Sequence, residues 1–267
     1  MVLGNKQSPT VKSPREIDLM RKAGHIVADV LNILRDAAKP GVTTAQLDEI
    51  AGREIRGRGG VPSFLGYQGF VAHICTSFNE EVVHGIPGPR KIQDGDVLSI
   101  DCGAIYDGYH GDSAITFAVG DVPDGVKDLI EDTRQSLIAT IDAARSGNGI
   151  VDLTTAIRDY AEPKGYSMIR GYGGHGIGTE MHENPWIPNN VADFDSTSRR
   201  GLRRFRLRPG VTIALEPMLT MGDWRTFVEE DDWTVSTVDG SLSAHWEHTI
   251  VVTEDGPEVL TSRTGQP

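Results

Sequence analysis

Residues 97–117, VLSIDCGAIYDGYHGDSAITF, constrain the fold more than any other stretch, because two aspartates stand inside segments that otherwise read as buried strand. Val97, Leu98 and Ile100 lead into Asp101, and Ala114, Ile115 and Phe117 follow Asp112. Asp107-Gly108 lies between them and is a preferred dipeptide for a two-residue hairpin turn, whose central positions need positive φ. In an antiparallel hairpin with an even-numbered loop, Asp101 and Asp112 share a face, opposed or one diagonal apart. Two carboxylates held close on an apolar hairpin repel each other and lose hydration, so something must neutralise them. A divalent cation is the simplest answer, and a pair of ordinary aspartates in an exposed turn is the alternative.

The chain's 267 residues suffice for one large core or two tightly joined halves. A net charge of −12 argues against a general nucleic-acid binder, DNA included. No apolar run approaches the roughly 18 residues needed to span a bilayer. The opening MVLGNKQSPT lacks the apolar core of a secretory signal. Cys75 and Cys102 form no C-x-x-C pair, which suits free thiols in a reducing cytoplasm.

Residues 1–13 are polar and read as a flexible N-terminus, leaving 14–267 as a single domain. Ser13-Pro14-Arg15-Glu16 carries an N-cap, a first-turn proline and an N3 glutamate, opening a helix that stops near Lys39-Pro40-Gly41. Thr44 is expected to cap a second helix from Ala45 to about Arg58. The plan returns at one offset: Leu31, Gly41, Leu47 and Gly59 match Leu137, Gly147, Leu153 and Gly165. In the second round Pro123 opens one helix and Asp152 the next. Two α+β halves related by pseudo-symmetry follow, about 14–120 and 121–267, each a helix pair followed by antiparallel strands. No linker divides them, so the site is expected between the halves.

Four more pieces carry chemistry-bearing side chains. His84 precedes a Gly/Pro turn in NEEVVHGIP, and His175 lies in the glycine-rich GGHGIG with His182 seven residues on. Glu216 ends the apolar run Val211–Leu215, and Glu247 sits in HWEHTIVV. Singly, each is a turn or strand-end residue; acidic residues gathered in apolar strands are much harder to explain that way.

The segments NEEVVHGIP, SIDCGAIYDGYHGDSA, GGHGIG, ALEPM and WEHTIVV together resemble, in order and spacing, the methionine aminopeptidases of the bacterial type I class, from about Ser13 to Thr253. The resemblance implies a pseudo-two-fold "pita-bread" fold, an antiparallel sheet with helix pairs outside and a dinuclear metal site between the halves. It makes Asp101, Asp112, His175, Glu216 and Glu247 the ligands of two divalent ions, for which oxygen and nitrogen donors suit Mn²⁺, Fe²⁺, Co²⁺ or Zn²⁺. It implies attack of metal-bound hydroxide on the scissile carbonyl, with Glu216 as proton shuttle, His182 at the oxyanion and His84 at the scissile amide. A methionine pocket maps onto Phe64, Tyr67, Phe70, Cys75, Met181 and Trp233, with Met181 standing where the family commonly has phenylalanine.

The implied substrates are nascent chains and other peptides with N-terminal methionine and a small second residue, in the cytoplasm, and the implied form is the short, catalytic-domain-only one. A monomer is the default. Residues 199–208, RRGLRRFRLR, carry six arginines and are read either as a solvated surface loop or as a contact to ribosomal RNA. Two rivals share the fold: a proline-specific peptidase, which usually has an added N-terminal domain, and a non-catalytic binding protein, which typically loses ligands. A structural metal protein of unrelated fold is the third.

Overall fold

The computed structural model describes residues 10–195 and 202–263. Helix α1 (Pro14–Ala37) begins with the expected capping box, Ser13 and Glu16 each accepting the other's backbone N–H. Helix α2 (Thr44–Gly57) starts one residue earlier than expected. Its cap is Thr43, whose hydroxyl accepts from the Gln46 N–H, while the Thr44 hydroxyl is taken up by Gly88. Helices α3 (Asp124–Ala143) and α4 (Ile150–Ala161) repeat the pair. Asp152 lies at N3 of α4, where it accepts from the Gly149 N–H.

The pseudo-symmetry reaches the backbone. Gly41 and Gly147 both have φ of +91°, and Gly59 and Gly165 have +79° and +86°, left-handed turns that a side chain would strain. The residues before the second helices are also equivalent: Thr43 bridges Lys91, and Gly149 bridges Arg206.

The strands pair antiparallel, as expected, and divide among several sheets. In the first half, β1 (Ile74–Phe78) and β3 (Tyr109–Ala118) flank the long β2 (Val97–Tyr106). In the second half, β4 (Gly173–Gly176), β5 (Glu183–Pro188), β6 (Thr212–Leu215) and β7 (His248–Val252) run in the order β7-β6-β4-β5. The pairing of β4 with β5 shifts register between His175 and Gly176. One apolar cluster joins both halves, from Val27, Leu31 and Leu34 of α1 through Ile100 and Ile115 to Leu137, Leu153, Ile213 and Ile250. Among the described residues no helix is long and apolar enough to cross a membrane.

The N-terminus differs from expectation. Residues 1–9 lie outside the described part, but Thr10–Ser13 are not loose: Val11 bridges Val211, and Lys12 is buried and donates its N–H to the Gly210 carbonyl. Burial of an ion-paired lysine side chain fixes the segment, a force that polarity alone in the sequence does not reveal.

Helix α1 packs on the sheet through two glycines. A Cβ on Gly24 would stand 2.2 Å from the Leu260 carbonyl oxygen, and one on Gly111 would stand 2.7 Å from the Gly24 nitrogen. Both obstacles are backbone, so Gly24→Ala should cost about 1–3 kcal/mol or more through overpacking. Thermal unfolding should show a melting point lower by several degrees, roughly 2–4 °C per kcal/mol. Gly57→Ala, with nothing within 4 Å, should leave it unchanged. Equal melting points for the two variants would contradict this packing.

Candidate active site

Tyr106 pairs with Tyr109 around Asp107-Gly108, whose φ values of +48° and +83° give the expected turn. Asp101 therefore opposes Ala114, and Asp112 opposes Gly103, which sets the aspartates one diagonal apart on the same face. The seam between the halves runs along β3. The Glu247 N–H donates to the Ala114 carbonyl, and the Thr249 hydroxyl donates to the Asp112 carbonyl, so Glu247 is held beside the pair. His175 from β4 completes a group: one ligand atom each from Asp112, His175 and Glu247 lies within 4.8 Å of the others. Glu216, just past β6, approaches His175 Nε2 at 3.6 Å.

All thirteen residues named from the sequence line one cleft. One side is the carboxylate–imidazole cluster. The other is apolar, where Phe64, Phe70, Cys75 and Met181 are buried together with Ala72, and Tyr67 and Trp233 pack against them. Phe70 meets Trp233 edge-on at 4.9 Å. His84 stands at the junction, 6.4 Å from the Trp233 ring and 6.2 Å from Tyr172, with φ of +64°. Such a conformation is costly for a side chain and is held only where the surroundings dictate it.

The His175 tautomer follows from its partner. His175 Nδ1 is 2.9 Å from the Gly176 carbonyl, which can only accept, so the proton is on Nδ1 and the Nε2 lone pair faces the carboxylates. His182 Nδ1 is 2.8 Å from the Tyr67 hydroxyl; with that hydroxyl donating, the ring keeps its proton on Nε2. Burial lowers His175 and His84 to about 4 and His182 to about 2, so all three are neutral near pH 7.

Burial, reinforced by neighbouring carboxylates, pushes Asp112, Glu216 and Glu247 well above the usual carboxylate range, and burial lifts Asp101 to about 7. Asp101 Oδ1, Asp112 Oδ1 and Glu247 Oε1 are buried with no hydrogen-bond donor. Orphaned acceptors, concentrated negative charge and an available imidazole nitrogen together fit a divalent cation site. Cys75 does not join it as a thiolate, because burial and then Asp101 push its thiol up.

A carboxyl raised by folding favours the fold while protonated, and that contribution is lost as pH rises through its folded pKa. Buried imidazoles act oppositely but only below their ordinary value of about 6.5. Above about pH 6.5, where the imidazole contribution is complete, the melting point of chelator-stripped protein should therefore fall as pH rises, and Mn²⁺ added at about pH 8 should raise it. A flat profile unaffected by Mn²⁺ would contradict the cluster's electrostatics.

Sequence reasoning missed three supporting residues. His245 is buried with Nε2 3.6 Å from Glu216 Oε2; its position two before Glu247 was the available signal. Ser113 donates to the Glu247 carbonyl, and the buried Arg263 donates to Ser113 Oγ at 2.8 Å. Arg263 carries no motif and reaches the site only through the tertiary fold.

An antiparallel two-half fold closing on buried carboxylates and one imidazole, with an apolar pocket alongside, defines a metallopeptidase of the pita-bread class. Residues 18–254 match metallopeptidase family M24. The methionine aminopeptidase of Clostridium acetobutylicum is 46% identical over 252 residues, 94% of this chain and 98% of its own. That of Aquifex aeolicus is 47% identical over 256 residues, covering 93% and 97%. The crystal structure of the Thermotoga maritima methionine aminopeptidase superposes with a TM-score of 0.90 at 40% identity, covering 96% of this chain and 100% of that one. The chain belongs to family M24, among its methionine aminopeptidases.

Proposed function

We propose that the cleft removes methionine from the N-terminus of peptides, nascent chains among them, favouring small second residues. One observation carries the reading: the carboxylate–imidazole cluster and the pocket of Phe64, Tyr67, Phe70, Cys75, Met181 and Trp233 share a single cleft. Aromatic rings, a thiol and a thioether suit the flexible, polarisable methionine side chain.

Asp101, Asp112, His175, Glu216 and Glu247 would hold two divalent ions, with Mn²⁺, Fe²⁺, Co²⁺ and Zn²⁺ all compatible with these donors. When bound, such ions supply a water of lowered pKa and polarise the scissile carbonyl. Glu216, between His175 and His245, takes a proton from the attacking water and passes it to the departing amine nitrogen. His182 points its Nε2–H at the carbonyl oxygen where negative charge develops, its orientation fixed by Tyr67. His84 contacts the scissile amide, and the buried pocket walls exclude bulk water from the reacting bond. The exposed Arg203, Arg204, Arg206 and Arg208 form a basic segment that supports contact with ribosomal RNA, whereas Arg199 and Arg200 lie outside the described residues. Action on nascent chains would place the enzyme in the cytoplasm.

The test is a comparison of Met-Ala-Ser, Met-Leu-Ser and Ala-Pro-Ser. Methionine release from the first, with much less from the second, is expected. Cleavage of Ala-Pro-Ser alone would move the chain to the proline-specific activity of the same fold.

A further inference from the structure

The N-terminal segment, buried only at Lys12, touches the loop that carries His182. Lys12 Nζ donates to Glu183 Oε2 at 2.6 Å, with 5% of the lysine side chain and 12% of the glutamate exposed. Thr10 donates its hydroxyl to the same carboxylate oxygen, and Lys12 Nζ also reaches the Thr10 hydroxyl. The other Glu183 oxygen accepts from the Glu180 N–H at 3.4 Å, which closes the 180–183 turn. Gly178 fits beneath: a Cβ there would stand 2.4 Å from Glu183 Oε1 and 2.5 Å from Lys12 Cε. The Gly178 carbonyl in turn accepts from the His110 N–H, tying the loop to β3. The segment is itself anchored at Val211 and Gly210, beside β6, which leads to Glu216.

Glu183 directly follows His182, and Met181 of the pocket directly precedes it. His182 is also held by its hydrogen bond to Tyr67, and its ring lies 4.1 Å from that of His175. We propose that Lys12 is a positioning residue for catalysis: through Glu183 it fixes the 178–183 loop and so aims the His182 imidazole at the reacting carbonyl. The inference rests on the reading of His182 as oxyanion donor. Because that donor acts on charge that develops in the transition state, misaiming it lowers kcat and leaves KM nearly unchanged. A displacement of about 1 Å is enough for a loss of roughly a hundredfold.

The experiment compares metal-loaded wild type, Lys12→Met, Glu183→Gln and the double variant, at a temperature well below each melting transition. Lys12→Met should lower kcat on Met-Ala-Ser by about 10- to 100-fold, with KM within about threefold and metal content unchanged. The double variant should be no slower than Glu183→Gln, because both changes break one linkage. NMR of the ¹⁵N-labelled histidine rings should show the His182 resonances displaced in Lys12→Met, a readout independent of turnover. If Lys12→Met does not fold, Thr10→Val, which removes one contact to Glu183, should displace the same resonances and lower kcat less. A folded, metal-replete variant whose kcat stays within about twofold of wild type and whose His182 resonances do not move overturns the proposal. Displaced resonances in a protein whose wild type releases no methionine would uphold the linkage and overturn the assigned role of His182 instead.

Discussion

Asp112→Asn should lower kcat/KM for Met-Ala-Ser by on the order of a thousandfold, because removing a charge from the ligand set forfeits several kcal/mol of metal-dependent stabilisation. Asp112 is buried at the centre of the cluster, pushed up by burial and then by Glu247 and Asp101, with Oδ1 unpaired. The same substitution should have the opposite sign on the stripped protein. Without a cation the carboxylates only repel, so relieving one should raise the metal-free melting point at about pH 8 while abolishing the rise produced by Mn²⁺. Thermal melts with and without Mn²⁺ check this beside the kinetics. A variant that keeps its Mn²⁺ response and its turnover would remove Asp112 from the ligand set.

His182→Ala should lower kcat by about 10²–10³-fold, the range for loss of one oxyanion donor, with metal content nearly intact. Its ring lies 4.1 Å from the His175 ring, close enough to share the cleft, yet its Nδ1 is committed to Tyr67. With its pKa lowered to about 2, the imidazole stays neutral across the working range, so the acid limb of a pH–rate profile should not arise from it. Metal analysis and kcat measured together separate this role from ligation. Loss of bound metal in His182→Ala would make it a ligand rather than a donor.

Much of this arrangement was legible in the chain because it rests on local rules. The dipeptide Asp107-Gly108 dictates its turn, the turn dictates register, and register dictates that Asp101 and Asp112 share a face. The two glycine pairs at one offset mark helix ends that need left-handed backbone, so the internal symmetry could be read before any contact was known. The meeting of His175, Glu216 and Glu247 is different, since nothing local joins residues so far apart; only the resemblance of the whole ordered motif set brought them together. His245 has a local signal in its position two before Glu247, but nothing local brings it to Glu216. Lys12 and Arg263 were not visible at all. A polar N-terminal segment and a polar C-terminal one look alike whether loose or buried, and what buries these two is an ion pair to Glu183 and a hydroxyl on Ser113.

The most direct measurement is methionine release from Met-Ala-Ser by enzyme stripped with chelator and then titrated separately with Mn²⁺, Fe²⁺, Co²⁺ and Zn²⁺. The expected result is no turnover in the stripped protein and recovery with at least one metal, reaching a plateau as metal saturates the cleft. Full turnover after complete stripping, or none with any of the four metals, would contradict the assignment of the buried carboxylate–imidazole cluster as a hydrolytic metal centre.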